Sequence, residues 1–154
     1  MSKEYTLEKH QFITKSKKEV FDFFKTPENL EKITPKNLNF VIHTPSPISM
    51  NEGTLIEYQI KLFKIPIYWR TLINEYNPPN SFKDIQLNGP YELWEHSHLF
   101  KECKNGTMMI DQIKYSLPYG IIGELAHFIW VKRELKNIFN YRYKIIENIF
   151  KENQ

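Results

Sequence analysis

Two histidines, His96 and His98, stand one residue apart in the segment GPYELWEHSHLF, between a tryptophan and a phenylalanine. Because side chains alternate along a β-strand, both imidazoles would lie on one face if this segment is a strand. Such a pair can bind a metal ion, transfer protons near neutral pH, or form hydrogen bonds within an apolar lining. The choice among these chemistries depends on the side chains that the fold brings near the two rings.

A metal site needs at least a third protein ligand beside the two histidines. The spacing His96-x-His98-x-x-x-Glu102 resembles part of the cupin metal motif, but Glu102 stands next to a predicted exposed turn. The second cupin motif, with its later histidine, is absent from the sequence. The residues therefore favour histidines that line a pocket or form structural hydrogen bonds, and we predict no metal ligand and no cofactor. An acid–base pair and a metal-binding His-x-His site stay open as alternatives.

The Asn-Gly pair at residues 105–106 lies between two predicted strands and is a strong signal for a two-residue β-hairpin. With this turn, four pairs of residues are predicted to face each other: Phe100 and Asp111, His98 and Ile113, His96 and Tyr115, Trp94 and Leu117. All of them lie on one face, which we expect to point inward because the opposite face is more polar. Asp111 would then be diagonal to His98, a distance that long side chains can bridge.

Arg142 falls on the apolar stripe of a predicted C-terminal helix, between Ile138 and Ile145. A buried guanidinium is costly unless it is paired. The candidate partners are Asp84, Asp111 and an acidic group of a bound molecule.

The 154-residue chain fits one domain, residues 1–154, large enough to bury a core without disulfides. The single cysteine, Cys103, favours a reducing compartment, and no apolar run has the length of a transmembrane helix or the character of a signal peptide. We therefore predict a cytoplasmic protein. The net charge of +3 is mild, so no nucleic-acid partner is expected. The aromatic share of 15% is high enough to line a pocket for an apolar ligand as well as a core.

Turn signals and hydrophobic periodicity predict the order strand, two short helices, six strands and one long helix. Residues 4–14 form the first strand, Ser16 and Glu19 form a capping box that begins a short helix, and Thr26-Pro27 begins a second one. The other six strands are predicted at residues 39–44, 54–62, 67–76, 82–88, 91–102 and 107–117. Short connections between them favour an antiparallel meander.

The long helix is predicted to begin after Gly120 and to run to about residue 151. Its predicted inward stripe contains Ile121, Leu125, Phe128, Leu135, Ile138, Ile145 and Ile149. The sequence therefore predicts an α+β fold, in which a seven-stranded antiparallel sheet wraps around a long C-terminal helix.

Residues 117–133 are apolar on more than one side, which a helix that faces only a core does not require. The apolar side chains, Phe128 and Trp130 among them, span too much of the helical wheel to face one sheet. The basic residues Lys132 and Arg133 follow directly, and an apolar face beside basic residues suits an anionic membrane surface. We predict transient membrane-surface contact through residues 117–133; the alternative is a face covered by the first short helices or by a second copy of the chain.

Several short motifs follow one another along nearly the whole chain: Pro27-Glu-Asn-Leu30, Thr44-Pro-x-Pro47, Trp69-Arg-Thr71, Gly89-Pro-Tyr91, Trp94-x-His96-x-His98-x-Phe100, Gly106-Thr107-x-Met109-x-Asp111, Tyr115-x-x-Pro118-x-Gly120 and Ile138-Phe-x-Tyr-Arg142. In this order and spacing they resemble the START-like, or SRPBCC, helix-grip superfamily. That group includes coenzyme-Q-binding START proteins, polyketide cyclase/dehydrase-like proteins and plant pathogenesis-related ligand carriers. More specifically, the chain is similar to a bacterial SRPBCC ligand-binding subfamily sometimes labelled as a cell division inhibitor.

The resemblance implies a deep apolar cavity between the sheet and the C-terminal helix, which holds a lipid-, quinone- or polycyclic-like molecule. We predict a carrier or sensor of a small hydrophobic molecule, rather than a catalyst. One alternative is an aromatase- or cyclase-like enzyme that uses His96 or His98 with Asp111, and another is an interaction protein whose pocket is only a packed core. The residues predicted to bind the ligand are Tyr58, Trp69, Trp94, His96, His98, Phe100, Asp111, Tyr115 and Arg142.

Overall fold

One antiparallel sheet of seven strands forms the frame of the computed structural model, which describes residues 2–152. The strands are β1 (Glu4–Ile13), β2 (Val41–Ile42), β3 (Leu55–Leu62), β4 (Ile65–Asn77), β5 (Ser81–Asn88), β6 (Leu93–Cys103) and β7 (Gly106–Ser116). Their order in the sheet is β1-β7-β6-β5-β4-β3-β2, so that β6 lies between β5 and β7. The two histidines on β6 therefore have neighbours on both sides.

The helices stand at the two ends of this strand meander. They are α1 (Lys17–Phe24), two short 3-10 helices (Pro27–Leu30 and Lys36–Leu38), α2 (Ile121–Ala126), a π-helical segment (His127–Val131) and α3 (Lys132–Glu152). None of the helices in the described part of the chain combines the length and apolar character needed to cross a bilayer. The predicted α+β fold and the order of its elements are confirmed.

The start of α1 follows the predicted capping box. The Ser16 side chain accepts a hydrogen bond from the Glu19 backbone N–H, and the Glu19 carboxylate accepts one from the Ser16 backbone N–H. Two orphan donors of the first helical turn are thereby satisfied. The second predicted helix is a single 3-10 turn that begins at Pro27.

The predicted register of the β6–β7 hairpin is wrong by two residues. Cys103 pairs with Gly106, so the two loop residues are Lys104 and Asn105, and Asn105 takes the positive φ of 67°. Gly106 belongs to β7, and β1 lies so close beside it that a Cβ at this position would be 2.3 Å from the Ile13 carbonyl oxygen.

A shift of two residues keeps the predicted face inward but changes every partner. In the observed hairpin His98 lies opposite Asp111, His96 opposite Ile113, and Trp94 opposite Tyr115. Asp111 is therefore a direct neighbour of His98 rather than a diagonal one.

Helix α3 packs its apolar side against the sheet, with Leu135, Phe139, Arg142, Ile146 and Phe150 buried. The predicted inward stripe is wrong for its first part, since Ile121, Leu125 and Phe128 are 85%, 59% and 85% exposed. The π-helical turn between α2 and α3 adds residues to one turn, so the α-helical period does not continue across it. The apolar side chains before this turn consequently point to another side.

Candidate functional site

A cavity of about 370 Å³ lies between the sheet and α3. This volume falls within the range of small-molecule pockets. Its wall combines aliphatic side chains with nine aromatic ones: Phe24, Phe40, Tyr58, Trp69, Phe82, Tyr91, Trp94, Trp130 and Phe139. The alternative of a packed core without a pocket is therefore wrong.

Six of the nine predicted ligand-binding residues line this cavity, namely Tyr58, Trp69, Trp94, His96, His98 and Arg142. The other three are buried away from its wall. Phe100 packs in a cluster with Phe21, and Tyr115 pairs with His127. Asp111 lies behind the two histidines, within hydrogen-bond distance of His96.

Asp84 on β5 is a cavity residue that the sequence analysis named only as a candidate partner of Arg142 and not as a neighbour of the histidines. It stands opposite His96 in the β5–β6 pairing and lines the cavity. Its carboxylate accepts a hydrogen bond from His98 Nε2 at 2.8 Å. Only the long-range pairing of β5 with β6 brings it there, since no short motif links residue 84 to the histidines.

The two imidazoles on β6 form a buried polar cluster with two carboxylates. The rings are stacked with their centres 3.8 Å apart. His96 Nε2 lies 2.8 Å from Asp111 Oδ1, and His98 Nδ1 lies 3.3 Å from the same oxygen. The second of these contacts lacks hydrogen-bond geometry, so His98 Nδ1 has no hydrogen-bond partner.

The surroundings shift the pKa values of the cluster in different directions. Burial and the neighbouring charge of His98 lower the pKa of His96, which favours a neutral imidazole. Burial also opposes charge on His98, but the contacts with Asp111 and Asp84 outweigh it and raise the pKa of His98. Burial acts against ionised carboxylates as well, yet the histidines and the charge of Arg142 hold the pKa values of Asp84 and Asp111 below their usual range.

Arg142 enters the cavity from α3 and is only 9% exposed. Its guanidinium lies over the rings of Phe139 and Phe24, at 5.6 and 5.9 Å from their centres. Its Nε has no hydrogen-bond partner, and no ion pair with Arg142 is found among residues 2–152. Both predicted carboxylate partners, Asp84 and Asp111, pair with the histidines instead.

The Trp69 indole supplies a second unpaired donor, since its Nε1 is buried without a partner. The ring itself is fixed by stacking on Tyr58, with centres 5.7 Å apart, and by an edge contact with Trp94 at 5.4 Å. Burial raises the pKa of Tyr58. The wall thus combines an apolar body with N–H groups of Trp69 and Arg142 that lack acceptors.

An exposed apolar surface, which we call the rim, stands beside the cavity. It consists of Phe63 and Ile65 on the β3–β4 hairpin together with Tyr119, Ile121, Ile122, Leu125, Phe128 and Ile129, each at least 59% exposed. Trp130 connects the rim to the cavity, because it lines the cavity and its ring centre lies 5.6 Å from that of Phe63.

A buried pair fixes the rim to the sheet. The Tyr115 hydroxyl on β7 lies 2.8 Å from His127 Nε2, and the His127 ring stacks on Tyr5 with centres 3.5 Å apart. Burial and the charges of Lys132 and Lys3 lower the pKa of His127.

Neither a protein-family model nor a curated protein matches the sequence. Solved structures do match the fold. Protein TTHA0849 from Thermus thermophilus is 14% identical, with a TM-score of 0.76 over 97% of this chain and 99% of that chain. A major latex-like protein 151 from Panax ginseng is 12% identical, with a TM-score of 0.65 over 96% and 97% of the two chains.

The third comparison is the di-domain ARO/CYC protein StfQ from the steffimycin biosynthetic pathway. It is 11% identical with a TM-score of 0.72, and the match covers 97% of this chain and 51% of StfQ. At these identities the similarity shows the fold and nothing finer. The helix-grip fold implied by the sequence resemblance is confirmed.

Proposed function

We propose that the chain, through its helix-grip fold, binds one small apolar molecule that carries a hydrogen-bond acceptor, and acts as its carrier or sensor. The observation that carries this proposal is the pair of unpaired buried donors, Trp69 Nε1 and Arg142 Nε, in the wall of a largely apolar cavity. A buried donor without an acceptor costs about 1–3 kcal/mol. A ligand oxygen that accepts from either group would offset that cost.

The two donors call for an acceptor oxygen on the ligand, such as a carbonyl, ether or carboxylate oxygen. Quinone-like and polycyclic ketone molecules have this chemistry, as do apolar acids. The aromatic wall supplies the apolar contact area for such a molecule.

The test uses the fluorescent probe 1-anilinonaphthalene-8-sulfonate, which joins aromatic rings to an acceptor group. Trp69→Phe keeps an aromatic ring of smaller size and removes the N–H, and we expect it to weaken probe binding about 5- to 10-fold, as for one lost hydrogen bond. Trp130→Phe at the cavity edge is the matched control and should have a smaller effect. Equal affinities of the wild type and Trp69→Phe would contradict the role of the indole donor.

A second candidate function is catalysis, favoured by the two histidine–carboxylate pairs. His96 tends to be neutral and His98 tends to be charged, and such opposite tendencies suit a base and an acid. One structure with this fold is named as an ARO/CYC protein. If the chain is an enzyme, His96→Gln should keep the probe affinity and lose turnover of a polyketide-like substrate; unchanged turnover would exclude this role for His96.

The rim supports a route by which an apolar ligand reaches the cavity. We infer that it touches anionic membranes, because the exposed basic residues Lys61, Lys64, Lys132 and Arg133 accompany its apolar side chains. Trp130 and Val131 belong both to the π-helical segment and to the cavity wall. Contact with a bilayer would therefore place the cavity next to the source of its ligand. The cytoplasmic location stays a prediction.

A further inference from the structure

The imidazoles of His96 and His98 lie between two carboxylates. One nitrogen of each ring faces Asp111 Oδ1, at 2.8 Å from His96 Nε2 and 3.3 Å from His98 Nδ1. The other nitrogen of each ring faces Asp84 Oδ2, at 3.9 Å from His96 Nδ1 and 2.8 Å from His98 Nε2. Two nitrogens and one carboxylate oxygen thus converge on the cavity side.

We propose that Asp84, His96 and His98 bind a divalent transition-metal ion, with zinc or iron(II) as the chemical class. One ligand atom from each residue lies within 4.8 Å of the others. Zinc binds imidazole nitrogen and carboxylate oxygen at about 2.0–2.2 Å, so ligand atoms around it stand a little over 3 Å apart. Small side-chain movements would bring the three groups to these distances.

The His-x-His motif in the sequence did not reveal a third metal ligand. Glu102, the nearest candidate in the motif, is exposed at the end of β6. Asp84 takes that place from the neighbouring strand because β5 pairs with β6 directly opposite His96. Two histidines with one carboxylate form a recurrent set for zinc and non-heme iron.

Asp111 has the position of an outer partner in such a site. Histidines that bind a metal usually donate their other ring N–H to a carboxylate, which fixes the tautomer and the ring orientation. Asp111 Oδ1 is within hydrogen-bond distance of the far nitrogen of His96 and lies 3.3 Å from that of His98, where the hydrogen-bond geometry is not met. Asp111 lies behind the two rings and is not part of the cavity wall.

The cavity supplies the remaining requirement, an open coordination position. Asp84, His96 and His98 all line the cavity, so a bound ion would face the space proposed for the ligand. The inference goes beyond the proposed function, because a metal can bind whether or not an apolar ligand does.

The experiment titrates untagged, chelator-treated wild-type protein with Zn²⁺ and, separately, with Co²⁺. We expect one equivalent to bind and the Co²⁺ absorption to indicate four or five nitrogen and oxygen ligands. His96→Gln and Asp84→Asn should lower the affinity at least about 100-fold, and Asp111→Asn about 10- to 100-fold with unchanged stoichiometry. The exposed histidine variants His10→Gln and His43→Gln are the controls and should bind as the wild type does.

Nitrogen-15 NMR of the wild-type protein provides a test that does not depend on whether the variants fold. Zn²⁺ should shift the imidazole nitrogens of two of the five histidines. No bound equivalent at micromolar Zn²⁺, or shifts that avoid these two rings, would overturn the site. Zn²⁺ binding with no uptake of the fluorescent probe would support the metal site and contradict the proposed carrier function. The failure of the metal site and the failure of the carrier function can therefore be distinguished.

Discussion

Replacement of Arg142 by methionine separates a ligand anchor from a structural ion pair. The change removes two cation–π contacts, with Phe139 and Phe24, worth about 0.5–2 kcal/mol each. It also removes an unpaired buried donor, which costs about 1–3 kcal/mol, and the desolvation of a charge. Because these contributions oppose each other, we expect the free energy of unfolding to change by less than about 1.5 kcal/mol.

Thermal melts of the ligand-free variant measure this balance. For a chain of this size, about 1.5 kcal/mol corresponds to a Tm shift of at most about 6 °C. The exposed Arg70, which pairs with Glu57, gives the control Arg70→Met, with a loss below about 1 kcal/mol. Loss of a buried structural pair would instead cost about 3–5 kcal/mol and lower Tm by roughly 6–20 °C.

The second half of the prediction concerns the ligand. Arg142→Met should weaken binding of the sulfonate probe about 10-fold or more, as for a hydrogen bond to a charged group, and should leave a neutral apolar dye nearly unaffected. A large Tm loss with unchanged probe affinity would refute the reasoning, since it would make Arg142 a structural residue.

Three further predictions concern the rim and the hairpin. Phe128→Ser together with Trp130→Ser should reduce salt-sensitive binding to anionic vesicles, whereas Leu87→Ser, an exposed site on β5, should not; equal binding by both variants would contradict the membrane contact. The pKa of His127 is lower in the folded state than the value of about 6.5 that is usual for an imidazole. Its contribution to the free energy of unfolding is therefore complete above about pH 6.5 and is lost as the pH falls through the lower folded pKa. Urea unfolding between pH 8 and 5 should therefore show a steeper loss for the wild type than for His127→Gln, and parallel curves would contradict it. Gly106→Ala should destabilise the chain by about 2 kcal/mol or more, because its Cβ would overlap a β1 carbonyl oxygen; an unchanged urea midpoint would argue against that close approach.

Local patterns in the sequence were sufficient for the order of the elements and for six of the residues that line the cavity. The capping box at Ser16 depends on neighbouring residues, so it can be read directly from the sequence. The prediction that the face of β6 that bears the histidines points inward is correct despite the register error, because a shift of two residues leaves each side chain on the same face.

The remaining features depend on contacts that are distant in sequence. The observed turn places Gly106 close to β1, and this contact between distant parts of the chain is not included in any hairpin rule. Asp84 reached the histidines only through strand pairing, and the π-helical turn rotated Phe128 away from the sheet. These are the points at which tertiary structure overrides local preference.

Native mass spectrometry of protein purified gently from its own cells tests the central claim most directly. We predict one stoichiometric additional mass that organic solvent extracts and that belongs to an apolar molecule with an acceptor oxygen. The extracted compound should rebind to the wild type and bind less tightly to Trp69→Phe. Protein that shows no additional mass and also binds nothing from a total lipid extract of the same cells would contradict the proposed ligand binding.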